Sequence, residues 1–197
     1  MTTYGRRSWQ PDDDVFPDSP DDGDRDRFRE VLGRFASGVT VVTGTSGGVP
    51  VGLTCQSFTS LSLDPPLVLF CPSRASRAWP LIARTGAFCV NVLAADQAEV
   101  SHVMASRGID KFAEVAWAPS AHSGSPVLAG VLAHLDCTVE AVHDGGDHHV
   151  VVGRVQHLQV DREGEGLLYF RGGYGSTGPT EPVDVAAGPG ATGQPNV

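Results

Sequence analysis

Several features that would settle a function quickly are missing from this 197-residue chain. The four cysteines, Cys55, Cys71, Cys89 and Cys137, lie far apart, each in or beside an apolar stretch, with no CxxC and no Cys/His ligand spacing. That pattern excludes a zinc ribbon and points to buried free thiols, with no metal. No run approaches the roughly 18 apolar residues of a membrane span, and no apolar segment follows the basic residues near the N-terminus. A cytoplasmic protein with no membrane partner is expected. Positive charge is scarce as well: 14 Lys and Arg stand against 23 Asp and Glu, for a net charge of -9. Nothing resembles the basic stripe that a nucleic-acid backbone requires. There is no internal repeat, and no GxGxxG follows a strand, which argues against a Rossmann dinucleotide site.

The acidity is uneven. Residues 1 to 27 hold eight Asp against four Arg, and residues 176 to 197 add one Glu and one Asp. Residues 1–26 read as a disordered acidic arm and residues 176–197, rich in Gly, Pro and Ala, as a flexible tail. One ordered domain over 27–175 is expected between them.

Within that domain, Phe28, Val31, Leu32 and Phe35 recur at helical spacing, with Asp24 or Asp26 to cap the start and Gly38 past the end. GVTVVTGT and VPVGLTC flank Gly47-Gly48 and predict a hairpin. SRASRAWPLIARTG predicts a short helix in which Pro80 must fall in the first turn. GAFCVNVL reads as a strand, and AADQAEVSHVMAS as a helix carrying Val100, Val103 and Met104 on one face. PVLAGVLAHLDCTVEAVH is expected to form one long strand, either bent or with a bulge at Gly130, paired through the Asp144–Asp147 turn with HHVVVGRVQHLQVD, and LLYF to close the sheet. About seven strands, frequent hairpins and no βαβ alternation predict a mainly β fold: an antiparallel barrel with short peripheral helices.

The segment from Gly52 to Cys71 joins two kinds of sequence. Thr54, Gln56, Ser57, Thr59, Ser60 and Ser62 are hydroxyls and an amide; Leu67 to Cys71 is an apolar run between prolines and reads as a strand buried on both faces. Hydrogen-bonding groups beside a dry wall suit a flat, polar ligand. Just beyond, Ser73, Ser76 and two arginines precede the short helix, a combination that suits a phosphate or equally a solvated helix cap.

Taken together, FREVLGRFASGVTVVT, GLTCQSFTSLSLDPPLVLFC, GAFCVNVL, Asp110-Lys111-Phe112 and GDHHVVVGRV resemble the flavin reductase domain of two-component flavin-dependent monooxygenases, over roughly residues 28 to 175. The resemblance implies an FMN-binding split β-barrel, a homodimer, FAD or FMN as flavin (FAD slightly favoured), and a separate flavin-dependent monooxygenase as partner. It implies ring contacts from Thr54, Gln56, Ser57, Ser60 and Leu61, Gln56 standing where Asn is common. It implies phosphate contacts from Ser73 and Ser76, with Arg77 beside them, and flavin proximity for Lys111 and Phe112. By the same likeness His148 binds nicotinamide, and Arg171 and Tyr174 approach the cofactors. The absence of a basic cluster for a 2'-phosphate favours NADH over NADPH. The expected activity is NAD(P)H:flavin oxidoreduction. The alternatives are a non-enzymatic flavin- or haem-binding protein on the same barrel and an oxidase of the pyridoxamine-phosphate type, the latter opposed by the scarcity of cations.

Overall fold

The computed structural model describes residues 20–178. Helix α1 (Asp22–Leu32) is followed by β1 (Ser37–Gly38), β2 (Thr40–Ser46), β3 (Val49–Cys55), β4 (Thr59–Leu63) and β5 (Pro66–Phe70). Next come α2 (Trp79–Ala83), β6 (Ala87–Val92), a 3-10 turn (Ala95–Gln97), α3 (Ala98–Ala105), β7 (Trp117–Pro119) and β8 (Pro126–Leu128). The long hairpin of β9 (Ala133–Gly145) and β10 (His148–Val160) leads to β11 (Leu167–Phe170) and β12 (Gly173–Ser176).

Every strand pairing is antiparallel, as expected for the mainly β class. The main sheet has seven strands in the order β3-β2-β6-β9-β10-β5-β4; β1-β11-β12 and β7-β8 form two small sheets. The β2–β3 hairpin turns on Gly47 and Gly48, both at positive φ (58° and 82°), the conformation a two-residue type I' turn demands. The edge strands β3 and β4 do not pair with each other, so the main sheet stays open there.

Side-chain alternation along β2 feeds two cores. Val42 joins Phe70, Trp79, Ile82, Phe88 and Val151 in one cluster, while Val41 joins Val39, Leu93, Met104, Leu128 and Leu167 in the other. Phe70 packs against Phe88 and edge-on to Trp79 with centroids 5.1 and 5.5 Å apart, and Gly153 lies so close that a Cβ there would stand 2.4 Å from the Phe88 ring. Burying Phe70 and Phe88 contributes on the order of 1.5–3 kcal/mol each.

Polar side chains inside the fold hold the irregular segment 120–131. Asn91 Nδ2 donates to the carbonyls of Val41 (3.2 Å) and Pro126 (3.3 Å), and its Oδ1 accepts the Leu128 amide at 2.8 Å. The buried Asp136 carboxylate accepts the Ser123 hydroxyl at 2.6 Å and the amides of His122 and Ser123 at 3.1 and 3.0 Å. Burial alone would raise the Asp136 pKa; the Ser120 and Ser123 hydroxyls and the two amides outweigh it and hold the carboxyl below its usual range.

Several local expectations are corrected. The first helix is capped by Asp21, whose carboxylate accepts the Asp24 amide at 2.9 Å while Asp24 reciprocates at 3.1 Å, and it ends at Gly33 instead of Gly38. It begins at Asp22, inside the segment read as an arm; residues 1–19 and 179–197 lie outside the described residues. Phe28, Val31, Leu32 and Phe35 all remain largely exposed, so the helical periodicity marks a face that is not part of either core. β5 is the penultimate strand, with Val68 and Phe70 buried and Leu67 and Leu69 only half-buried. Gly130 adopts φ 76°, a turn and not a bulge, and splits the expected long strand into β8 and β9. LLYF pairs in the small sheet with β1 and β12.

Candidate active site

A cleft of about 880 Å³ opens where the main sheet is incomplete. Strand β3 forms its floor, the segment Cys71–Ala78 one wall and the stretch Met104–Phe112 another, with Tyr169, Tyr174 and His148 at its borders. Gly52 lets the floor sit low: a Cβ there would approach Met104 Sδ and Phe112 Cζ at 3.3 Å each.

One group of the expected site residues is committed to the protein itself. Thr54 donates to the Ser101 carbonyl at 2.6 Å, and the buried Ser101 hydroxyl lies 2.9 Å from the Tyr174 hydroxyl. Tyr174 in turn packs edge-on against Tyr169 at 5.4 Å, so β3, α3, β11 and β12 are tied together. Ser57 Oγ accepts the Cys71 amide at 2.9 Å and lies 3.1 Å from Cys55 Sγ, fastening the β3–β4 connection to the end of β5. Lys111 Nζ donates to the carbonyls of Gly52 (3.0 Å) and Met104 (2.6 Å), and burial lowers its pKa. Phe112 packs within the second core and edge-on to Trp117.

A second group keeps hydrogen-bonding capacity open to the cleft. Ser73 and Ser76 hydroxyl oxygens accept the amides of Ala75 and Trp79 at 3.2 Å each, leaving their O–H donors available. Gln56 Oε1 accepts the Ser37 hydroxyl at 3.4 Å, leaving its NH2 available. Arg77 lines the cleft with no hydrogen bond or ion pair to the described residues. His148 Nδ1 is 2.7 Å from Asp147 Oδ1, and this hydrogen bond holds the Asp147 carboxyl below its usual range. Nδ1 being engaged, Nε2 is the ring nitrogen left for a ligand.

Three expected residues stand apart from the cleft lining. Ser60 and Leu61 lie on the edge strand β4, both exposed, at its register shift against β5. Arg171 occupies the β11–β12 turn at φ 50°, with its amide bonded to the Gly33 carbonyl. Conversely, Arg107, Cys55, Cys71 and Tyr169 line the cleft although the sequence did not mark them as site residues. Arg107, like Arg77, has no acceptor among the described residues. The only hint of Arg107 in the sequence was its place between a helix end and Gly108, next to Asp110-Lys111-Phe112.

An open antiparallel sheet whose cleft has an apolar floor and a rim of hydroxyls and unpaired guanidinium groups defines a β-domain suited to a phosphate-bearing heteroaromatic cofactor. The particular family follows from comparison: the chain matches the flavin reductase like domain over residues 32–178 and belongs to that family. The flavin-dependent monooxygenase reductase subunit HsaB of Rhodococcus jostii (strain RHA1) is 54% identical over 157 residues, covering 80% of each chain. The crystal structure of nitrilotriacetate monooxygenase component B from Mycobacterium thermoresistibile has 49% identity and a TM-score of 0.75, covering 84% of this chain and 96% of its own. The NADH:FAD oxidoreductase SgcE6 of Streptomyces globisporus C-1027 has 37% identity and a TM-score of 0.75, covering 83% of this chain and 99% of its own.

Proposed function

We propose that this chain is the reductase component of a two-component flavin-dependent monooxygenase, an NADH:flavin oxidoreductase that hands reduced flavin to a separate oxygenase. The observation that carries the reading is the division of labour in the cleft: Thr54, Ser57 and Lys111 are held by the protein, while Ser73, Ser76, Arg77, Arg107 and the Gln56 amide keep donors available. Those donors fit a flavin. Gln56 meets the carbonyl-rich edge of the ring system, the β3 floor provides an apolar bed, and the two serines with Arg77 receive the ribityl phosphate. A flavin held by these residues would supply the hydride-accepting chemistry, with the nicotinamide as donor and the partner enzyme as the destination of the reduced flavin.

The residues of the chain bind, orient and keep water away; hydride transfer itself needs no side-chain acid or base. His148 presents Nε2 to the nicotinamide carboxamide, so His148→Ala raises the KM for NADH and lowers kcat without abolishing turnover. FAD is preferred over FMN because Arg77 and Arg107 offer two cations where FMN has one phosphate, and NADH is preferred in keeping with the activity named for the S. globisporus relative. The catalytic domain runs from the capped helix α1 to β12, slightly wider at both ends than 27–175, and the protein works in the cytoplasm. A homodimer belongs to the same proposal: Leu61 and Leu63 on the edge strand β4 and Leu158 and Val160 on β10 are exposed, an apolar surface that a second copy would cover.

Steady-state loss of NADH absorbance with FAD, FMN or neither tests the reading. Flavin-dependent NADH consumption, faster with FAD, is expected. No consumption with either flavin and either nicotinamide leaves the rival, a non-enzymatic flavin or haem carrier, in its place.

A further inference from the structure

The two arginines of the Ser73–Arg77 segment behave differently. Arg77 faces the cleft unpaired, whereas Arg74 turns to the β9–β10 hairpin. Its Nε donates to the Gly146 carbonyl at 2.8 Å, its Nη2 contacts the Asp144 carboxylate, and its own amide donates to the Asp147 carbonyl at 2.9 Å. Around it, Ser73 forms a β-bridge with His148, and the His149 amide donates to the Pro72 carbonyl at 3.0 Å. The turn so gripped is Gly146-Asp147, flanked by Gly145, with Gly146 at φ 71°. A glycine-rich turn of this kind has little stiffness of its own. The Arg74–Asp144 pair is well exposed, its side chains 45% and 89% accessible, so it adds little to global stability. What it does fix is the placement of His148 against the neighbouring Ser73–Ser76 loop, to which the β-bridge already joins it.

We propose that Arg74 is a positioning residue that locks the His148 turn to the adjoining Ser73–Ser76 loop, coupling occupancy of the phosphate-binding hydroxyls to the placement of the imidazole beside them. The inference rests on the flavin reductase reading for the identity of the two ligands, but the lock itself is a property of the ligand-free chain. Ordering of the serine loop by a phosphate then steadies the turn through the guanidinium fork, and by reciprocity a nicotinamide held at His148 tightens the flavin phosphate.

Two measurements on Arg74→Ala test it. In the ligand-free protein, amide exchange at His149 should accelerate about tenfold, the response of a local opening made easier, while amides of the β2–β6 core keep their rates. In steady state the KM for NADH should rise about tenfold with kcat changed less than about threefold, and in the His148→Ala background the same substitution should add nothing further. Asp144→Asn, which changes only the exposed partner, should move both readouts in the same direction by a smaller factor. Unchanged His149 exchange, or an NADH effect that adds in full to that of His148→Ala, overturns the proposal. Should the wild-type chain fail to oxidise NADH with any flavin, the functional reading falls, and the exchange measurement still decides whether Arg74 holds the turn.

Discussion

Two sets of polar side chains in this molecule look alike in the sequence and do opposite things in the fold. In the interior, Asp136, Asn91, Thr43 and Lys111 are all matched by donors or acceptors of the chain, and no buried side-chain polar atom among the described residues lacks a partner. At the cleft rim, Ser73, Ser76, Arg77 and Arg107 retain capacity that nothing in the described chain uses. The difference teaches how to separate architecture from site here: a matched polar group specifies the fold, and an unmatched one in a cleft specifies a ligand. Lys111 shows why the distinction matters: it lines the cleft, yet its ammonium is occupied by the Gly52 and Met104 carbonyls.

Substitutions should therefore fall into two classes with little overlap. The largest effect is expected for Asp136→Ala, which strands the Ser123 hydroxyl and the amides of His122 and Ser123. A loss of about 2–4 kcal/mol in urea unfolding is predicted, with flavin affinity unchanged in the folded fraction. Lys111→Met leaves two carbonyls without their donor and should cost about 1–3 kcal/mol by the same assay; a variant as stable as wild type but unable to bind flavin would move Lys111 to the other class.

The rim predicts the reverse. Arg77→Ala and Arg107→Ala should each weaken FAD binding about tenfold, equivalent to about 1.4 kcal/mol, with an unchanged melting temperature. The smallest effect sharpens the interior class through pH. Because the folded pKa of Asp136 lies below its ordinary 3.8, the unfolded chain binds the proton more readily. Its stabilisation is thus complete above 3.8 and disappears as pH falls through the folded pKa. The stability difference between wild type and Asp136→Asn, followed by thermal melts, should shrink on acidification through that window; a difference that grows would contradict the assignment.

The antiparallel class and most strands were legible because their signals are local. Gly47-Gly48 between β-branched runs leaves little choice but a hairpin, and Pro80 sits at the second position of α2, where its missing N–H costs nothing. What failed was the choice of neighbours. Val31, Leu32 and Phe35 fit a helical repeat yet stay exposed, LLYF has a strand's composition without naming its sheet, and Gly130 permits a bulge or a turn equally well until Asn91 and Gln97 fix the surrounding backbone. The site was legible to a similar depth. Hydroxyl-rich sequence and family likeness found Thr54, Gln56, Ser57, Ser73, Ser76 and His148 beside one cleft. They could not separate engaged groups from available ones, because that depends on contacts such as Thr54 with Ser101, 47 residues apart. Arg107 escaped for the same reason: an arginine without a partner is visible only once all its possible partners are placed.

The central claim, that the available donors of the rim meet a flavin phosphate, is tested most directly by titrating riboflavin, FMN and FAD into wild type and the Ser73→Ala/Ser76→Ala variant by flavin fluorescence. The variant is expected to lose about tenfold in affinity for FMN and FAD and none for riboflavin, which has no phosphate to lose. Equal weakening of all three, or of none, would contradict it.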